Sequence, residues 1–221
     1  MNKLLKLSVL SLVLTLSSIC LATELVTETS TAKTPAPQVL LSTTMGEIVL
    51  ELYPDAAPAS VDNFISYVED KFYDGIIFHR VIKNFMIQAG GHRFDMTPKA
   101  PTRPPIVNES DNGIKNLRGT VAMARTRIPD SATSQFFINH KTNSSLDAQK
   151  GRPGYAVFAK VIKGMDVVDK IATTKTENLE RYGNVPVTTV SIIKARIVNT
   201  TPVKVAEKSV GKNDNQKAPK K

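Results

Sequence analysis

The sequence contains one cysteine, Cys20, among 221 residues. That excludes an intramolecular disulfide framework and any multi-cysteine zinc or iron–sulfur site. Histidine is nearly as scarce. His79, His92 and His140 stand in no HExxH or comparable ligand spacing, so neither a metal nor another cofactor is expected. Glycine and proline, 11 and 13 residues, are too few and too irregular for a collagenous or low-complexity chain. There is no internal repeat. The formal charge is +9, but much of it sits at the two ends, on Lys3 and Lys6 and on the Lys-rich stretch 203–221. The centre keeps the mild balance of an ordinary soluble surface, and nucleic-acid binding is not expected of it.

What is present is enough apolar material for a core. Hydrophobic residues make up 41% and charged residues 22%, which is a globular rather than a disordered composition. Residues 1–22 read as a cleaved signal peptide. Lys3 and Lys6 precede the apolar run Leu7–Leu16, and Cys20-Leu21-Ala22 forms a small-x-small cleavage site. Cleavage after Ala22 removes the only cysteine, which suits an oxidising compartment. A periplasmic or otherwise exported protein without a lasting membrane anchor is the expectation. Residues 23–38, rich in Thr, Pro and Ala, read as a flexible spacer, and 203–221 as a disordered Lys-rich tail.

Residues 39–202 read as one domain dominated by strands. Candidates are Val39–Thr43, Glu47–Leu52, Ile76–Ile82, Phe85–Ala89, Thr120–Ala124, Gln135–Asn139, Tyr155–Val161 and Val190–Val198. Two helices interrupt them. One starts near Pro58, with Val61, Phe64, Ile65 and Val68 at helical spacing, and the other covers about Met165–Ala172. Eight short strands and two helices suggest a mainly β fold, a small closed barrel or a sandwich with helical plugs. The stretch from His92 to Arg118 shows no period and holds Pro98, Pro101, Pro104 and Pro105. Loops of that length are often functional.

Several blocks carry a family likeness. Phe78-His79-Arg80-Val81-Ile82 and Phe85-Met86-Ile87-Gln88-Ala89-Gly90-Gly91 are followed by Arg118 to Arg125, Ser134 to Asn139, Tyr155 to Val161 and Gly164 to Val168. In order and spacing, across about 40–200, the chain resembles the cyclophilin-type peptidyl-prolyl cis-trans isomerases. The Met123-Ala124-Arg125 block and Asp130–Ser134 are similar to the bacterial exported branch. The resemblance implies a closed eight-stranded antiparallel β-barrel capped by two α-helices. It also implies proline-containing peptides and unfolded exported proteins as partners, and a monomer.

The chemistry of that activity suits these residues. Rotation about an X–Pro amide breaks its resonance, against a barrier of about 18–20 kcal/mol. No covalent bond has to break, so neither a nucleophile nor a metal is required, only a site that favours the twisted amide. The resemblance makes Arg80 the catalytic residue, since a guanidinium can donate to the proline nitrogen as twisting frees its lone pair. It places Phe85, Met86, Phe137 and Leu146 around the proline ring, and gives Gln88 and Gln135 the substrate carbonyl. Ala124 and Arg125 line the peptide groove with backbone groups, Tyr155 forms a flat wall, and His79 makes a structural hydrogen bond.

Two positions depart from the family pattern. Ser145 stands where Trp or Phe is usual, and Tyr155 where the eukaryotic branch has His. Lacking an aromatic at Ser145, the chain is expected to bind the family's inhibitor cyclosporin weakly. The same gap leaves open a peptide-binding chaperone or surface-binding module with little turnover. Binding of an anionic surface through the Lys-rich tail is compatible with either reading.

Overall fold

The structure, a computed structural model, describes residues 35–199. The expected signal peptide, most of the spacer and the Lys-rich tail lie outside the described residues. The elements are β1 Gln38–Thr43, β2 Gly46–Leu52, α1 Pro58–Glu69, β3 Ile76–Ile77, β4 Arg80–Ile82, β5 Met86–Ala89, β6 Thr120–Met123 and β7 Phe136–Asn139. After a 3₁₀ turn at Ser144–Leu146 come β8 Val157–Lys163, α2 Met165–Ala172, β9 Thr176–Leu179, β10 Tyr182–Pro186 and β11 Ser191–Asn199.

Alternation drives the first hairpin. Val39, Leu41 and Thr43 of β1 and Ile48, Leu50 and Leu52 of β2 are buried, while the residues between them reach solvent. The pairing Thr43↔Gly46 closes the turn. Gly46 has φ +131, a conformation that glycine adopts without steric cost.

Nine strands form one antiparallel sheet in the order β3-β11-β1-β2-β8-β6-β7-β5-β4, and β9 and β10 form a separate two-stranded ribbon. The two edge strands of the large sheet, β3 and β4, are consecutive in the chain, with only Phe78 and His79 between them. The sheet therefore curls until its edges meet through a covalent link. No β3–β4 ladder closes it among the described residues. The mainly β, two-helix architecture expected from the sequence holds, while the barrel is a curled half-barrel rather than one closed by hydrogen bonds. The reading of Ile76–Ile82 as a single strand fails for the same reason, because that apolar run leaves one edge and joins the other.

The concave face holds the main core. Phe64 of α1 packs against Tyr73, Phe136 and Phe158, with ring centroids 5.2, 5.3 and 5.1 Å apart. Each such pair adds about 0.5–1.5 kcal/mol beyond its area burial. α2 covers the sheet with Val167, Val168, Ile171 and Ala172, as its periodicity predicts.

α1 lacks a capping side chain of its own at Ala57. Glu109 supplies one from the loop that reads as functional. Its carboxylate accepts from the Ala59 amide at 2.9 Å, the Ser60 amide at 2.8 Å and the Ser60 hydroxyl at 2.7 Å. Three donors at a helix start, where the first amides have no intrahelical partner, are thus satisfied together. In this respect the long loop serves the fold.

Candidate active site

Strand register assembles the site. Arg80 lies opposite Gln88, Gln88 opposite Phe137, Phe137 opposite Ala122, and Ala122 opposite Val157. Residues directly opposite one another share a face of the sheet, so this row crosses five strands on one face. The adjacent row, Val81, Ile87, Ile138, Val121 and Ala159, points the other way and belongs to the main core. A register shift between Val121 and Ala122 lets Phe158 and Ala159 both pack inward while Val157 joins the outer row.

The outer face carries a second, smaller apolar cluster. Met86, Ala122, Phe137 and Val157 are buried in it, and Phe85, Leu146, Tyr155 and Ala124 pack against them half-buried, with Tyr53, Ile82 and Ile114. Phe85, Met86, Phe137, Leu146 and Tyr155 are thus brought together, as the resemblance implies. The rings of Phe137 and Tyr155 meet edge to face, with centroids 5.6 Å apart. Such a patch can hold a small aliphatic ring, and its aromatic edges supply the contact area. Ser145 sits exposed in the 3₁₀ turn beside Leu146, and contributes no apolar surface there.

Arg80 stands at one end of the row, half-buried, and enters no ion pair among the described residues. Its charge is available to a ligand. Gln88 donates from Nε2 to Oε1 of Gln135 at 2.9 Å. That bond fixes both amides and leaves the Gln135 amide nitrogen free to donate. Gly91 makes the space for Gln135, since a Cβ there would come within 2.6 Å of its Cδ and Nε2.

The segment Ala124–Arg125 continues beyond the C-terminal end of β6. The Ala124 amide donates to the Gln135 carbonyl at 2.9 Å, while the amide and carbonyl of Arg125 have no backbone partner among the described residues. They can pair with an extended peptide. The Arg125 side chain also has a task that sequence reasoning missed. It donates to the carbonyls of Gly154, Thr126 and Pro153 at 3.0, 2.9 and 2.8 Å, and its guanidinium carbon lies 4.7 Å from the centroid of the Tyr155 ring. Arg125 thus braces the face of the Tyr155 ring.

His79 is expected to make a structural hydrogen bond, and the backbone of Ile77 is the polar group that acts on its ring in that sense. His79 is buried, and its Nδ1 has no hydrogen-bond partner among the described residues. Its ring lies 4.2 Å from that of His92. Burial, then the neighbouring His92 and Arg80, holds the His79 pKa down to about 3. Burial also lowers that of His92, with Arg181 adding to the effect. His79 therefore stays neutral beside Arg80 over the whole neutral range.

A separate open cavity of about 490 Å³ is lined by Asn108, Asp111, Asp130, Gln149 and Arg152 among others. None of its lining residues belongs to the outer apolar cluster. Its lining holds no aromatic or large aliphatic side chain, so the apolar patch flanked by Arg80 is the better candidate.

Comparison with known proteins agrees with this geometry. The sequence family described as "Cyclophilin type peptidyl-prolyl cis-trans isomerase/CLD" matches residues 38–197. Peptidyl-prolyl cis-trans isomerase A of Dickeya dadantii is 54% identical over 167 residues, 76% of this chain and 87% of that protein. Peptidyl-prolyl cis-trans isomerase B of Escherichia coli is 49% identical over 152 residues, 67% of this chain and 92% of that protein. A Cryptosporidium parvum cyclophilin-type isomerase has the same fold, with a TM-score of 0.61 at 23% identity over 74% of this chain and 98% of that one. The curled sheet, the two helices and the row from Arg80 to Phe137 are those of a chain that belongs to the cyclophilin-type peptidyl-prolyl cis-trans isomerase family.

Proposed function

We propose that the chain accelerates rotation about X–Pro bonds in exported polypeptides, with Arg80 as the catalytic residue. The observation that carries the reading is the unpaired Arg80 guanidinium at the end of a row that continues into an apolar patch. Phe85, Met86, Phe137, Leu146 and Tyr155 take the proline ring. Gln88 and Gln135 hold the carbonyl before it, and the backbone of Ala124 and Arg125 pairs with the flanking chain. As the amide twists, its nitrogen regains a lone pair and accepts a hydrogen bond from Arg80. That interaction is absent in the planar ground state and lowers the barrier differentially.

The setting follows from Met1–Ala22, which has the charge, apolar run and cleavage site of an export signal. A monomer acting on unfolded exported proteins, in a periplasm, is the corresponding role. Exchange NMR on a short Ala-Pro peptide, with and without protein, tests the activity. Cis and trans signals that fail to broaden at catalytic protein concentrations contradict it, and favour a groove that binds without turnover. The N-terminus of protein taken from the periplasmic fraction tests the setting: Thr23 is expected, and an intact Met1 contradicts it.

A further inference from the structure

Two walls of the candidate pocket, Phe85 and Leu146, stand on short connections outside the sheet. Phe85 ends the short β4–β5 connection, whose Asn84 has φ 60, and its amide makes one local bond, to Ile82 at 3.1 Å. Leu146 ends the 3₁₀ turn Ser144–Leu146, in which no residue is buried. Backbone bonds anchor each residue separately, from the His140 amide to the Phe85 carbonyl at 3.0 Å and from the Tyr155 amide to the Leu146 carbonyl at 2.9 Å, but neither links one wall to the other.

Asn143 contacts both. Its Nδ2 donates to the Phe85 carbonyl at 2.8 Å, and its own carbonyl accepts from the Leu146 amide at 2.9 Å. Its orientation is set from below by a chain of buried amides. Nδ2 also donates to Oδ1 of Asn139 at 2.7 Å. Nδ2 of Asn139 donates in turn to Oδ1 of Asn116 at 3.1 Å and to the Thr120 hydroxyl at 2.9 Å. The amide of Asn116 donates to Asp147 at 2.7 Å, so the chain returns to the residue after Leu146. Asn116, Asn139 and Asn143 are all buried. Each amide group has one orientation that satisfies its neighbours, so the network is rigid while complete.

We propose that Asn143 is a positioning residue that sets the spacing of the Phe85 and Leu146 walls, and with it the fit of the pocket to a five-membered ring. This rests on the site assignment made above. Only a short side chain with two divergent donors reaches both the Phe85 carbonyl and Asn139. Aspartate has no such donor and alanine has no polar group at all.

The test compares kcat/KM for an Ala-Pro peptide with that for the same peptide carrying pipecolic acid, whose ring has one more methylene. A well-formed pocket discriminates one methylene by about 10- to 200-fold. Asn143→Ala is expected to lower kcat/KM for the proline peptide by about 2- to 12-fold, mostly through KM, as the loss of a neutral hydrogen bond allows. The proline preference should shrink by at least about threefold. In a Phe85→Ala background the same substitution should cost clearly less, because one of the two walls it positions is gone. If the alanine variant does not fold, Asn143→Ser, which is uncharged and keeps a single donor, is read in the same way. Unchanged kcat/KM and ring preference overturn the proposal, and so does a loss that persists undiminished in the Phe85→Ala background. Wild-type protein without Arg80-dependent turnover defeats the site assignment and the proposal together, whereas normal wild-type turnover with an indifferent Asn143 defeats the proposal alone.

Discussion

Arg80 stands directly opposite Gln88 across the β4–β5 ladder, and Gln88 stands opposite Phe137 on the next strand. Strands lie about 4.8 Å apart, so the charge, the amide and the apolar floor are spaced like the successive parts of one X–Pro unit. Because backbone ladders set that spacing, it does not depend on loops. A substrate can be met without rearrangement of the row.

Ser145 should govern inhibitor affinity more than turnover. It is exposed beside Leu146 at the rim of the apolar patch, so a larger side chain has room. Ser145→Trp adds an aromatic contact and an N–H donor, together worth about 1–3 kcal/mol, or roughly 5- to 150-fold. Cyclosporin is expected to bind the unmodified chain weakly and the variant clearly better, with little change in turnover of Ala-Pro peptides. An inhibitor titration beside a peptide assay checks both. Tight binding by the unmodified chain, or no gain from tryptophan, removes Ser145 from the groove.

Glu109 should matter for stability and not for catalysis. It satisfies three donors at the start of α1 and lies outside the apolar cluster. Glu109→Ala is expected to cost about 1–3 kcal/mol in a urea melt, with kcat/KM on the folded protein unchanged. Lost activity at full stability would give the loop the catalytic part that its length suggests.

Acid should destabilise the fold through His79 and His92. Both are held neutral by burial, with folded-state pKa values below the ordinary 6.5. The unfolded chain therefore takes up protons that the folded chain refuses as pH falls below 6.5. At neutral pH the two states bind alike and nothing is lost. Between 6.5 and about 3, His79 removes up to about 1.4 kcal/mol per pH unit, and His92 adds to the loss. Urea melts at pH 7 and pH 5 should show the decline, and His79→Phe should lessen it. Equal stability at both values contradicts the burial argument. Activity, by contrast, should be flat from roughly pH 6 to 9, because rotation about the amide transfers no proton.

Much of this was legible in the sequence where periodicity speaks. Val61, Phe64 and Val68 marked α1, and Met165–Ala172 is α2 to the residue. The β9–β10 ribbon was not legible. Thr176–Leu179 is almost wholly solvent-facing, and Tyr182–Pro186 carries a glycine and a proline, so neither shows the alternation of a half-buried strand. The break at Phe78–His79 was hidden because both edges of the curled sheet are apolar. In the site, the motif residues were visible through the family likeness. Asn143 was not, since amide networks have no period and its bond to Phe85 spans 58 residues. Nor was the support that Arg125 gives Tyr155, which depends on a carbonyl 29 residues away.

The central claim is that Arg80 stabilises the twisted amide, and turnover by Arg80→Ala tests it most directly. In exchange NMR or a coupled peptide assay, the variant is expected to lose at least about a hundredfold in kcat/KM, near 2.7 kcal/mol, with its thermal melt unchanged. Arg80→Lys should recover little, because a point ammonium lacks the planar fork of donors. A folded Arg80→Ala protein with near wild-type kcat/KM would contradict the account.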